Sequence, residues 1–88
     1  MRESAVERYL VDRVAALGGE VRKVRWIGRH GAPDRLVMLP SGKIMWVETK
    51  ASGKKARPSQ IREHERMRRM GQRVEVVDSP ERVDEVLA

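Results

Sequence analysis

Apolar residues recur at Val6, Leu10, Val14 and Leu17, which lays them along one stripe of a helix and predicts a helix over residues 4–17. Gly18-Gly19 would stop it. Ser4 followed by Glu7 reads as a capping box, in which two side chains satisfy each other's backbone N–H groups. The period then changes. Residues 20–27 (EVRKVRWI) alternate weakly and predict a strand, and residues 28–33 (GRHGAP) predict a loop. Two apolar runs, 34–39 (DRLVML) and 44–50 (IMWVETK), flank Pro40-Ser41-Gly42-Lys43 and predict a hairpin. The second run opens with four consecutive apolar residues, the pattern of a strand covered on both faces near the middle of a sheet.

Residues 51–57 (ASGKKAR) predict a mobile basic loop. Pro58 suits the first position of a helix reaching about Met70, with Gly71 closing its C-terminus. Residues 73–77 (RVEVV) predict a strand. Ser79-Pro80 then open a short helix with Val83, Val86 and Leu87 on one face. The expected architecture is α/β, in the order αβββαβα, with a mixed four-stranded sheet flanked by helices. The strand–helix–strand segment is a natural parallel crossover.

At 88 residues the chain is expected to be one domain, 1–88, with a core that is small but sufficient. There is no cysteine, so disulfides and Cys-ligated zinc are excluded. The charged N-terminus lacks the apolar stretch of a signal peptide, and no apolar run approaches membrane-spanning length. The expectation is a cytoplasmic protein without membrane contact. Nineteen Lys and Arg against 13 Asp and Glu give a net charge of +6, which favours a polyanionic partner, nucleic acid first. With 3% aromatics and no Phe, a platform stacking single-stranded bases is not expected.

The chemistry concentrates around the predicted hairpin. Side chains alternate along a strand, so Glu48 and Lys50 share a face, separated by roughly 7 Å of backbone. Folding about the Pro40–Lys43 turn brings Asp34, at the start of one strand, beside Glu48, near the end of the other. Two neighbouring carboxylates repel unless a cation lies between them. Hard oxygen donors suit Mg²⁺ or Mn²⁺, which polarises a phosphodiester and lowers the pKa of water. Lys50 can orient that water or stabilise charge developing on the phosphate. Each piece also has a plainer explanation: Pro-Asp is a common turn signal, and Glu-x-Lys is common on a solvated strand face. Their coincidence across one turn, where an apolar strand runs into a Glu and a Lys, favours the catalytic reading.

Together the segments GAPDRLV, WVETKA, PSQIREH, RMG and RVEVV resemble the VRR-Nuc domain, a branch of the PD-(D/E)XK nucleases found in single-domain viral and bacterial proteins and in a DNA-repair nuclease. The resemblance spans Ser4 to about Val83. It implies a restriction-endonuclease-like core and a metal-dependent, structure-selective DNA endonuclease. Asp34, Glu48 and the backbone carbonyl of Thr49 would hold Mg²⁺ or Mn²⁺, with Lys50 as the catalytic lysine. Gln60 would lie by the active site, and Glu7 would assist the metal. It further implies a homodimer acting on branched DNA such as Holliday junctions; the same chemistry on flaps, ends or plain duplex, or a silent DNA-binding module, are the alternatives.

Phosphate contacts are expected chiefly from Arg29, Lys54, Lys55 and Arg57, which flank the candidate site. Arg62, Arg66, Arg68 and Arg69 read as a solvated helix face with Glu63 and Glu65 as partners. Trp26 and Trp46 read as core or dimer contacts. His64 shares a helix face with Gln60 but reads as a packed or solvated histidine, and His30 as a solvated loop residue.

Overall fold

The computed structural model describes residues 1–88. Its elements are α1 (Glu3–Ala16), β1 (Glu20–Lys23), β2 (Arg35–Met38), β3 (Ile44–Thr49), α2 (Pro58–Arg69), β4 (Val74–Val77) and α3 (Pro80–Leu87). The sheet runs β1-β2-β3-β4, antiparallel except for the parallel pair β3–β4 that α2 connects. The expected order and mixed sheet are present.

One face of the sheet carries the apolar core. Val6, Leu10 and Val14 of α1 and Val83 and Val86 of α3 pack on Val37, Met45, Val47 and Val77. The stripe of α1 follows from helical spacing, and the inward set of β2 and β3 from period-two alternation. Leu10 is fully buried in this cluster. Leu10→Ala is expected to cost about 2–5 kcal/mol, a large share of the roughly 5–10 kcal/mol available to a domain this small. Urea unfolding monitored by tryptophan fluorescence would measure it.

Two glycines are required where α1 ends. Gly18 takes φ +82°, and at Gly19 a Cβ would lie 2.4 Å from the Met38 carbonyl oxygen. In the β2–β3 turn, Gly42 N–H donates to the Leu39 carbonyl. Ser79 caps α3 by accepting from Arg82 N–H at 3.1 Å. At the end of α2, Gly71 and Gln72 N–H donate to the Arg68 and Met67 carbonyls, the closure a glycine with φ +83° permits.

Four expectations are corrected. The first strand ends at Lys23 rather than residue 27. Val24 N–H makes one more bond, to the Asp34 carbonyl, and the chain then turns so that Trp26 packs on Trp46. The Ser4–Glu7 capping box does not form. The helix starts one residue earlier with Arg2 as its N-cap, Ser4 lies inside the first turn, and Glu7 bonds Arg35 instead. Strand β3 is buried on one face only: Met45, Val47 and Thr49 are buried, Trp46 and Glu48 half-buried and Ile44 exposed. The 51–57 loop is tied down at its start, where Ser52 N–H donates to the Met1 carbonyl and Gly53 N–H to Asp78.

Candidate active site

The second face of the sheet lies under α2 and differs in character. Of the four residues α2 buries, Gln60, Glu63 and His64 are polar and only Met67 is apolar. A helix that merely completed a core would bury an apolar stripe. This one presses polar groups onto the end of the β2–β3 hairpin.

The hairpin register pairs Arg35 with Val47 and Leu36 with Trp46. One step further out, Asp34 lies opposite Glu48. Directly opposed residues of an antiparallel pair project on the same side, so Asp34, Glu48 and, two residues on, Lys50 share the α2 face. The Asp34 side chain is 45% exposed and that of Glu48 12%. Their nearest charged partners are not each other. Asp34 Oδ2 lies 3.0 Å from Arg35 Nη1, and Glu48 Oε1 lies 3.6 Å from Nε2 of His64.

Arg35 was not singled out from the sequence. It lies on the core face of β2, only 8% exposed, and its guanidinium bridges two carboxylates: Nη2 reaches Glu7 Oε2 at 2.5 Å while Nη1 reaches Asp34. Burial alone would lower its pKa, but the Glu7 hydrogen bond and the charges of Asp34 and Glu7 outweigh burial and raise it. Glu7 is thus joined to Asp34 through Arg35. A signal was present: in DRLVML, alternation puts Arg35 on the same face as Val37, and an arginine there needs a buried acceptor. His64 is packed, one of the two readings its sequence position favoured. It is 1% exposed and faces Glu48.

The loop bearing Asp34 is held by its own contacts. Trp26 and Trp46 stack at 5.1 Å with a 51° tilt, and Trp26 Nε1 donates to the Pro33 carbonyl at 2.8 Å. Gly31 takes φ +83° against the start of α2, where a Cβ would sit 2.4 Å from the Ser59 carbonyl oxygen. Gln60 stands at the first turn of α2, and its Oε1 accepts from Arg57 N–H at 2.9 Å. Its oxygen therefore closes the helix end, leaving the amide NH₂ for other partners.

Two clefts adjoin this corner. One, of about 580 Å³, is lined by Asp34 together with Lys23, Arg25, Trp26 and Arg29. The other, of about 260 Å³, has no apolar lining; Arg29, His30, Ser59, Arg62 and Arg66 surround it with Glu63. Glu63 lies 3.0 Å from Arg66 and 3.7 Å from Arg29, so it draws two guanidinium groups together from facing walls. Of the expected phosphate-contacting residues, Arg29 borders both clefts, whereas Lys54, Lys55 and Arg57 border neither. Arg62 and Arg66 are exposed, as expected of a solvated helix face, and also border the second cleft; Arg66 pairs with Glu63 as expected. Arg68 does pair with Glu65, as expected.

The fold and this corner can be set beside known proteins. No protein-family model matches the chain. A solved structure described as a VRR_NUC domain superposes with a TM-score of 0.88 at 49% identity, covering 97% of this chain and 92% of that one. The protein called "Putative nuclease p44", from Acyrthosiphon pisum secondary endosymbiont phage 1, is 49% identical over 79 residues, 90% of this chain and 85% of the phage protein. An α/β sheet of this topology, matched at this identity and coverage, defines a nuclease. The chain belongs to the VRR-Nuc branch of the PD-(D/E)XK nucleases.

Nucleases of this superfamily typically use divalent metal ions, and the residues present can be tested against that habit. No group of three or more His, Asp or Glu side chains converges anywhere in the chain, so a closed all-protein cage is not built. The donors at the hairpin are two opposed carboxylates and backbone carbonyls, all hard oxygens. Glu48 Oε1 is buried without a hydrogen-bond partner. Mg²⁺ is commonly held by one or two carboxylates, with waters and substrate phosphates completing its octahedron. The residues fit such an ion. No helix of the chain is long and apolar enough to cross a membrane.

Proposed function

We propose that this single domain is a divalent-metal-dependent DNA endonuclease whose site is Asp34, Glu48 and Lys50. The observation that carries the reading is the hairpin register, which sets Asp34 opposite Glu48 at the end of the strand beneath α2. Asp34, Glu48 and the Thr49 carbonyl would hold Mg²⁺ or Mn²⁺, with Glu7 acting through Arg35. When bound, the ion polarises the scissile phosphate and lowers the pKa of an attacking water.

The remaining work falls to the chain. Lys50 projects from the same strand face as Glu48, and its ammonium places a positive charge where negative charge grows on the phosphate. Arg35 holds the Asp34 carboxylate on one side, so that carboxylate needs little reorganisation when substrate arrives. The amide NH₂ of Gln60, at the start of α2, would donate to a non-bridging oxygen, since its oxygen is taken by Arg57 N–H. Lys23, Arg25 and Arg29 line the cleft that opens at Asp34 and would carry the strand to be cut, each through a phosphate. Arg62 and Arg66 extend this basic track along α2.

The substrate proposed is branched DNA such as a Holliday junction, cut by a homodimer whose two-fold axis puts one site on each of two strands. Labelled junctions, flaps, free ends and plain duplex, each incubated with Mg²⁺ and Mn²⁺, would test it. Symmetric nicks in the junction above all other substrates are expected; equal cutting of plain duplex would remove the junction assignment, and no cutting with any metal would remove the nuclease mechanism. Arg25→Glu together with Arg29→Glu is expected to flatten the salt dependence of DNA binding by about two phosphate contacts, measurable as the slope of log affinity against log salt. An unchanged slope would show that DNA takes another path.

A further inference from the structure

The polar underside of α2 is only partly explained. Gln60 closes the helix end through Arg57, and Glu63 is paired with Arg66. His64 has no such account. It is 1% exposed, and Nε2 has no hydrogen-bond partner. The one other buried side-chain atom in that condition is Glu48 Oε1, 3.6 Å away.

Two buried polar atoms left unsatisfied against each other weaken a fold relative to an apolar residue of similar shape at position 64. Packing therefore gives no reason for an imidazole here, whereas the position of the carboxylate does. A carboxylate oxygen offers only lone pairs, so the ring nitrogen that faces it is the one bearing hydrogen. The terminal torsion of a glutamate is broad and soft, and Glu48 has no other side-chain partner on the α2 side to set it. Met67 and His64 share the buried face of α2, which fixes where the ring lies.

We propose that His64 is a positioning residue for Glu48: Nε2–H steadies Oε1 from the helix side and thereby turns the other oxygen, Oε2, toward the divalent ion. This rests on the reading of Glu48 as a metal ligand. A hydrogen-bonding partner behind a metal-ligating side chain commonly changes metal affinity or activity by about 10- to 100-fold.

The test uses Mn²⁺ alone, without DNA, titrated by electron paramagnetic resonance into wild type, His64→Leu, His64→Gln, His64→Asn and Glu48→Gln. His64→Leu is expected to weaken Mn²⁺ binding by about 10- to 100-fold, with thermal unfolding measured in parallel to confirm that the variant is folded. His64→Gln, whose amide nitrogen can stand where Nε2 stands, is expected to restore most of the affinity. His64→Asn is too short to reach Glu48 and should lose affinity as leucine does, which keeps the test open should His64→Leu fail to fold. Wild-type Mn²⁺ affinity in His64→Leu or His64→Asn, with binding lost in Glu48→Gln, overturns the role of His64 alone. Undiminished binding in Glu48→Gln overturns the metal reading of the hairpin and this inference with it. A manganese-coordinated nitrogen in the electron spin-echo spectrum of wild type would also overturn it, since His64 would then be a ligand itself.

Discussion

Lys50→Ala is expected to lower the rate of DNA cleavage by about 100- to 1,000-fold, the usual effect of removing one fixed donor from a site where charge develops. Mn²⁺ binding and DNA affinity should stay near wild type, because the carboxylates and the basic residues proposed to carry DNA, on the 23–29 segment and α2, are untouched. Glu48→Ala should lose cleavage at least as completely, but for a different reason: Mn²⁺ binding should go with it. The pair of variants thus separates the two roles, one group acting on the reacting phosphate and the other on the ion. Single-turnover cleavage under saturating protein, with Mn²⁺ affinity measured in parallel, reads both. Lys50→Ala cutting at the wild-type rate would remove the lysine from the mechanism. Glu48→Ala retaining Mn²⁺ would move the ion elsewhere.

The second large effect concerns the Glu7–Arg35–Asp34 chain, which ties α1 to the candidate site through β2. Arg35→Met should cost about 1–3 kcal/mol through the loss of charge-assisted hydrogen bonds, a figure held down because Glu7 and Asp34 are partly exposed and can turn to water. Glu7→Ala should cost more. It strands a guanidinium that is 9% exposed and keeps only one of its two partners. Glu7→Gln retains an acceptor oxygen and should fall between wild type and Glu7→Ala. Urea midpoints for the three variants would establish the order. If Arg35→Met proves the more destabilising, the packing of the arginine stem, and not its charge, is what the core requires. Cleavage should fall most in Arg35→Met, which frees the Asp34 carboxylate from a fixed orientation, and less in the Glu7 variants, where Arg35 still reaches Asp34.

How far this could be read from sequence depends on the range of the interaction. The helices α1, α2 and α3 follow from local signals: a spacing of four for Val6, Leu10 and Val14, Pro58 with Gly71, and Ser79 with Pro80. The opposition of Asp34 and Glu48 was also legible, because a hairpin turn fixes register and register fixes face. What escaped depends on contacts distant in the chain. Glu7 had a local partner in Ser4 and a distant one in Arg35, 28 residues away. The distant one prevails because a buried guanidinium needs an acceptor more than an exposed helix end needs a cap. Strand β1 was overextended because EVRKVRWI carries β-favouring residues to its end, while its partner strand supplies only four residues to pair with. His64 could be assigned to the face of Gln60 by helical period alone, but nothing local says that β3 passes beneath that face. The two clefts were out of reach for the same reason: the run Lys54, Lys55 and Arg57 is conspicuous in sequence, whereas Lys23, Arg25, Arg29, Arg62 and Arg66 come together around them only in three dimensions.

The contact at Gly31 has a consequence for how the site can fail. The loop carrying Asp34 and the helix carrying Gln60 and His64 touch backbone to backbone there, with no room for a methyl group. An alanine at that point would leave every reacting group in the chain and the apolar core on the far side of the sheet undisturbed. It would wedge the loop and the helix apart and strain a backbone held at φ +83°, so cutting and stability are expected to fall together.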